Sequence, residues 1–333
     1  MPENTINFDI KLVVPHNLER FSEMANASLG LKADSRYFKW KYLDNPAGQV
    51  LAFEAAHEGE PASFYGVIPE IYLVRGQPIK IYQSMDTMTH PKYQKRGLFT
   101  KLAKATYDYI LETEGNLTVV GIPGGNSFHG FVNKLGWKHV HNFRYFFLHK
   151  AVFSARTIFR RRSVLSFQHA SEMTPDLAQY FQKRQPSRAP ISNHIHADFF
   201  NWRVFQNPYK GFQVVIMKDA DAVLGLCVYK IQDNGRCFVH LLDFLRRELF
   251  EVHTASIIRH LFEKTSSQYV YTWEPLEETI HNALKRCGFI KNPYDRGPFS
   301  YRIPFIVKSQ SGEIDGVDLY NSRNYDLPPL MQD

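Results

Sequence analysis

Cysteine is scarce in this chain. Three occur in 333 residues (Cys227, Cys237 and Cys287), all in the C-terminal half. So few exclude a disulfide framework, and their spacing excludes a compact zinc ligand set, so they read as free thiols in a reducing compartment. Long apolar runs are also missing. None approaches the ~18 residues that a membrane helix requires. The opening MPENTINFDIKL has neither a basic start nor an apolar core, which predicts no signal peptide and a cytoplasmic location. Packing material is not short: hydrophobic residues make up 44% and aromatics 14%, enough for two ordinary domains. Acidic residues are outnumbered, leaving a net charge of +7. That balance fits an anionic partner such as nucleic acid, an acidic membrane surface or a phosphorylated cofactor. The positive charge is dispersed, and its one cluster, RTIFRRR at 156–162, reads as a solvated linker. No nucleic-acid partner is expected.

One short stretch concentrates chemistry. HPKYQKRGLF (90–99) follows a strand-like IKIYQSMDTMT (79–89) and precedes apolar residues at helical spacing: Leu98, Leu102, Ala105 and Tyr109. The order strand, basic glycine turn, helix predicts an anion site. The free N–H groups of a helix's first turn and its dipole both favour negative charge. Gly97 lets the backbone approach an anion closely. Lys95 and Arg96 read as surface cations that can add attraction.

The chain also repeats itself. Phe38, Trp40, Asn45 and Pro46 recur as Phe200, Trp202, Asn207 and Pro208, at a constant offset of 162 residues. YQSMDTM (82–88) has an echo in VHLLDFL (239–245), and NKLGWK (133–138) in KRCGFIK (285–291). Three echoes in one order predict two copies of a single fold. The expected limits are 1–150 and 167–308, with a basic linker at 151–166 and a polar tail at 309–333. Each copy reads as a helix, a strand meander, then strand–helix–strand–helix–strand. This is a mixed α/β (α+β) layer with a central sheet flanked by helices.

These residues resemble the GNAT N-acetyltransferase superfamily. Its acetyl-CoA motif, Gln/Arg–x–x–Gly–x–Gly/Ala, is matched by Gln94–Lys95–Arg96–Gly97–Leu98–Phe99, with Phe99 in place of the last small residue. A second motif, Phe–Tyr–x–Lys–x–Gly–Phe, is matched by Phe131–Val132–Asn133–Lys134–Leu135–Gly136–Trp137. The resemblance implies two tandem GNAT-like folds, with acetyl-CoA as co-substrate and a small-molecule amine, here an amino sugar, as acceptor. It implies that the turn from Gln94 to Phe99 holds the CoA pyrophosphate. It also implies that the backbone of Met88 and Thr89 pairs with the pantetheine arm. Asn126, expected at the N-cap of the next helix, either caps it or bonds the arm. No metal is implied.

The chemistry needs a neutral amine, a polarised thioester carbonyl and proton transfers. The tyrosine acid of the family corresponds to Val132, so that role does not carry over. His129 can replace it, or is simply an exposed helical histidine. For the base, Asp86 leads, because a carboxylate in an apolar strand needs a reason; His90 is second. Its echo, Asp243, lies in a copy with no glycine turn, so Asp86 also reads as the holder of a strand bulge. Two other function classes remain open. One is a Fem-like aminoacyl or peptide transferase, the other a non-catalytic CoA-binding module.

Overall fold

The structure is a computed structural model that describes residues 6–14, 18–30, 34–157, 165–209, 211–293 and 302–332. The chain divides into two compact units. The first begins with β1 (Asp9–Leu12), helix α1 (Ser22–Leu29) and the short α2 (Ser35–Phe38), which runs straight into a π-helical turn, Lys39–Leu43. A meander follows: β2 (Leu51–His57), β3 (Glu60–Val74) and β4 (Gln77–Thr89). Next come α3 (Leu98–Glu114), β5 (Thr118–Gly121), α4 (Gly125–His129) with a π-helical turn at Gly130–Lys134, and β6 (Lys138–Phe143). α3 starts where the sequence places it, because Gly97 (φ 75°) breaks the chain there, and it stops at Gly115 (φ 71°). Its buried face, Leu98, Leu102, Ala103 and Ile110, packs on Tyr65, Val67 and Val119 of the sheet.

The second unit contains β7 (Tyr145–His149), α5 (Lys150–Thr157), β8 (Ser166–Ala170), α6 (Pro175–Lys183), β9 (Ile191–Asn193) and α7 (Ala197–Phe200). A π-helical turn at Asn201–Phe205 leads to the meander β10 (Gln213–Asp219), β11 (Ala222–Ile231) and β12 (Cys237–Phe244). α8 (Leu249–Thr265), β13 (Tyr269–Trp273), α9 (Glu278–Cys287) and β14 (Ile290–Lys291) complete it. The repeat is therefore structural. Each copy has a four-residue helix entering a five-residue π turn at the Phe–x–Trp motif, and α3 and α8 are both 17 residues long.

Both sheets are mixed. In each an antiparallel meander ends in one parallel pair, β4–β5 in the first and β12–β13 in the second. Each parallel ladder is short: Tyr82↔Val119 and Gln83↔Val120 in one, Cys237↔Val270 and Phe238↔Tyr271 in the other. The next strand in each sheet differs from expectation. WKHVHNFRYFFLHK does not close the first copy as one strand. It divides after Phe143, and β7 pairs with β13 and β14 of the second unit. In exchange, β15 (Ile303–Ser309) pairs with β5, giving the order β1-β2-β3-β4-β5-β15-β6. The first unit is accordingly Met1–Tyr72, Pro78–His141 and Pro304–Tyr320, and the second takes the rest. Each copy keeps its fold and gives its last strand away.

The stretch expected as a polar tail is ordered structure. A hairpin, β16 (Glu313–Ile314) with β17 (Val317–Asp318), belongs to the first unit, and β18 (Tyr325–Asp326) pairs in parallel with β9 in the second. Apolar residues spaced among the polar ones, Leu319, Tyr325, Leu330 and Met331, are buried, which burial energetics favour whatever the mean polarity. The linker begins as α5, with Phe153 buried, and most of the basic cluster at 156–162 lies outside the described residues. Among the described residues no helix is long and apolar enough to cross a membrane.

The three cysteines are buried and form no disulfide among the described residues. Burial pushes the Cys227 thiol well above its ordinary range and that of Cys237 to about 12, so neither supplies a thiolate at neutral pH. A thiol reagent such as Ellman's should therefore label essentially none of them in the native protein and all three in denaturant. Rapid stoichiometric labelling of the native chain would contradict this packing.

Candidate active site

Beyond Gln83, β4 runs on to Thr89 without a ladder to β5, so the parallel strands end in a gap. At this point Asp86 takes a left-handed backbone conformation (φ 41°) inside the strand, an uncommon choice for a non-glycine residue. Its side chain shows why the strain is tolerated. Asp86 Oδ2 accepts hydrogen bonds from Lys41 Nζ at 2.6 Å, Tyr42 Oη at 2.6 Å and Tyr37 Oη at 3.2 Å. Lys41 is fully buried, and it also donates to Tyr37 Oη at 2.9 Å. The π turn at Lys39–Leu43 swings Lys41 and Tyr42 onto the strand together. Burial first, then the Asp86 charge and its hydrogen bond, raise the Tyr42 pKa well above the ordinary phenol value, so Tyr42 stays a donor.

Past Thr89 the chain folds over His90. The His90 Nδ1 accepts from the Lys92 N–H at 3.2 Å, capping a 3-10 turn at Pro91–Tyr93. Gln94, Lys95, Arg96 and Gly97 are exposed. Lys95 (φ 63°) and Gly97 (φ 75°) are both left-handed, and such alternation turns successive N–H groups to one side as an anion-binding concavity. A Cβ added at Gly97 would meet nothing within 4 Å. The glycine is thus required by its backbone angle, and the space beside it is open to a ligand. Behind the turn, the carbonyls of Met88 and Thr89 accept from Ser63 Oγ at 2.9 Å and Ser28 Oγ at 3.0 Å. Each carbonyl has a second lone pair.

The departure at Phe99 is compensated. Its ring packs edge-on against Phe131 at 5.1 Å between centroids. A Cβ on Gly130 would come within 2.9 Å of it, so a glycine on the neighbouring helix makes room for the large residue. The second motif is structural too. Trp137 Nε1 donates to Tyr107 Oη at 2.9 Å, and Tyr107 Oη pairs with Tyr65 Oη at 2.8 Å, all buried.

One expectation needs correction. Asn126 is not the N-cap of α4; Gly124 is, without a side-chain cap, and Asn126 sits exposed in the first turn. The backbone turns one residue pair earlier because Gly124 and Gly125 permit it. His129 is exposed, with Asn133 Nδ2 at 2.8 Å from its Nδ1, a bond between neighbours one helical turn apart. The structure brings together Asp86, Met88, Thr89, His90 and the turn at 94–99 along one strand and its exit. It adds Tyr37, Lys41 and Tyr42, which the sequence reading did not single out. The signal was present as a lysine enclosed by aromatics in RYFKWKYL, where a buried cation demands a carboxylate. Among the described residues no cluster of His, Cys, Asp or Glu is arranged to hold a metal ion.

A mixed sheet, parted beside an anion turn at a helix N-terminus and repeated in tandem, defines an acyltransferase architecture. Residues 9–140 match the acetyltransferase (GNAT) domain family. No curated protein is recognisable as a relative by sequence. Solved structures show the whole tandem fold. A probable N-acyltransferase of Enterococcus faecalis V583 superposes with a TM-score of 0.69 at 9% identity, covering 91% of this chain and 72% of that one. A tandem GNAT protein from the clavulanic acid biosynthesis pathway gives 0.57 at 10% identity, covering 93% and 100%. A fungal glucosamine N-acetyltransferase region gives 0.56 at 15%, covering 90% and 38%. At such identities the likeness concerns the fold.

Asp86→Asn leaves the buried Lys41 without a countercharge, and breaking a buried ion pair costs about 3–5 kcal/mol. Thermal or urea unfolding should show a loss of that size. The double variant Lys41→Met, Asp86→Asn should recover most of it, because Asn tolerates the left-handed backbone and no buried charge is left unpaired. If Asp86→Asn unfolds like the parent, the pair does not secure the bulge.

Proposed function

We propose that this chain is an acetyl-CoA-dependent N-acetyltransferase acting on a small-molecule amine, with amino sugars the first acceptors to test. One observation carries the reading: the parallel ladder stops at Gln83, and the freed strand leads straight into the left-handed turn at Lys95–Gly97 and the open N-terminus of α3. Bound coenzyme A would supply the acyl group as a thioester. The residues present fit it. The N–H groups of Gly97, Leu98 and Phe99 can donate to its phosphates, while Gln94, Lys95 and Arg96 ring the turn with polar and cationic groups. The edge of β4 at Met88 and Thr89 offers strand-type hydrogen bonding to the pantetheine amides. The fungal glucosamine N-acetyltransferase region of like fold supports placing amino sugars first.

Each ionisable candidate for proton transfer already has a structural partner. Asp86 Oδ2 takes three donors, His90 Nδ1 caps a turn, and His129 meets Asn133. We assign Asp86 to positioning: it fixes the bulge at the gap. Catalysis on this reading is orientation of a neutral amine against the acyl carbon, which alone is worth several orders of magnitude in rate. The Fem-like alternative loses ground to the phosphate turn, because an acyl donor carried by tRNA needs no pyrophosphate cradle. The non-catalytic module is decided by turnover.

Incubation with acetyl-CoA and an amine panel, followed by free-thiol release, tests the activity. No turnover with CoA bound tightly would favour the binding module. Gly97→Glu should abolish CoA binding in calorimetry while circular dichroism stays native. The substitution sets a carboxylate where phosphate oxygens belong, and its left-handed backbone costs only about 1–2 kcal/mol. Unchanged affinity would remove the cradle.

The pH dependence of kcat/KM should rise with the fraction of neutral amine, so its inflection should move when amines of different pKa are compared. An inflection fixed across amines would identify an enzyme base. His90→Asn, which keeps a good capping side chain, would then show whether it is His90.

A further inference from the structure

The second unit has the same parted sheet, and its gap is not empty. Past Phe238 and Tyr271 the β12–β13 ladder ends. Asp326, Leu327, Pro328 and Pro329 line one cavity of about 40 Å³ together with the freed stretch Val239–Leu242, Thr272 and Trp273. Leu327, Leu330 and Met331 are buried. Arg203 clasps the segment from behind, donating through Nε to the Leu330 carbonyl at 2.9 Å and through Nη2 to the Gln332 carbonyl at 2.7 Å.

Arg203 is the repeat counterpart of Lys41, in the same place on the π turn. In the first unit that cation is spent on Asp86. In the second, Asp243 is served by other groups, Arg184 Nε at 3.2 Å and Tyr180 Oη at 2.8 Å, and the π-turn cation turns to the segment. The anion end corresponds as well. Arg247 sits two residues before α8, at the position of the phosphate turn, ion-paired to Glu277 at 2.7 Å. Asp326 pairs with Ser192 in the β18–β9 ladder, and burial raises its pKa above the usual carboxylate value. The sequence DFLRREL (243–249) contains no glycine, Glu248 occupies the N-cap, and Glu251 in the first turn pairs with Arg286 at 2.8 Å.

We propose that Asp326–Gln332 is a resident pseudo-ligand: its apolar run takes the place of the pantetheine arm, and the second unit binds no coenzyme A. The comparison with the first unit rests on the function proposed above, whereas the occupancy of the second gap rests on its own contacts. In the second copy a ligand-shaped gap is filled by seven residues of the same chain, so that copy folds without a cofactor.

Hydrogen exchange on the full chain tests this with two variants. Arg203→Gln removes the clasp on the backbone carbonyls, and Leu330→Asp puts a charge in the gap. Both should speed exchange at 239–242 and 272–273 by roughly tenfold or more, through local opening that leaves β10 and β11 protected. Both should also raise binding of an apolar dye such as anilinonaphthalene sulfonate. Unchanged exchange at those sites in both variants would overturn the proposal. So would equal loss of protection throughout β10 and β11 in Arg203→Gln, which would make the segment an inseparable part of the core. Calorimetry with CoA on the parent should give one site per chain, retained in both variants and lost in Gly97→Glu. A second site, surviving Gly97→Glu, would also overturn it. Absence of any CoA binding would instead refute the proposed function and leave the exchange result to stand.

Discussion

Two short ladders set the terms for everything else in this chain. A parallel strand pair that stops after two rungs leaves N–H and C=O groups along both edges of the gap, and backbone polar groups in a sheet interior must find partners somewhere. The edge can be left to water and a ligand that hydrogen-bonds like a strand, or it can be covered by the protein. The first unit opens its gap beside a left-handed turn and a bare helix N-terminus. The second closes its gap with Asp326–Gln332. The same architecture yields an open gap in one unit and, in the proposal above, a covered gap in the other.

Buried cations mark the difference. Lys41 and Arg203 stand at equivalent points of two π turns, each with essentially no exposure. A cation in that environment is tolerated only when fully compensated. Lys41 meets a carboxylate and stiffens the strained residue at the edge of the gap. Arg203, whose planar fork suits two acceptors at once, meets two carbonyls and ties down the filling segment. Replacing a point charge by a fork is a small chemical change, and the partners it selects lie in different parts of the chain.

The exchanged strands add a second dependence. β7 comes from the first half of the chain and completes the second sheet, while β15 comes from the second half and completes the first. Neither sheet can be assembled from one continuous half, so both contain pairings of high sequence separation, which form late because loop closure must be met first. A cut in the chain between the two motif repeats would leave each sheet without one of its strands.

Much of this was legible in the residues. The glycine turn at 94–97 and the helix after it follow from Gly97 and an apolar 3.6-residue period. The constant offset between Phe38, Trp40, Asn45, Pro46 and their echoes announced two copies, down to the π turns. The lack of glycine in DFLRREL, where the second copy would need its turn, is equally plain from the residues. What it could not contain was partner choice. A strand pattern records which face is buried and not which sheet receives it, so FRYFFLHK looked like part of the closing strand of its own copy, and nothing in IPFIVKS assigned it to the other. A segment with polar mean composition, such as NSRNYDLPPLMQ, reveals nothing of a gap elsewhere that its few apolar residues fit. Asp86 reads from the sequence as a base or a brace, and only the fold brings Lys41, 45 residues away, onto it. Local propensity and periodicity are written along the chain and can be read there. The pairing of charges, strand edges and fillers is settled by distance in space, and only the folded structure supplies that.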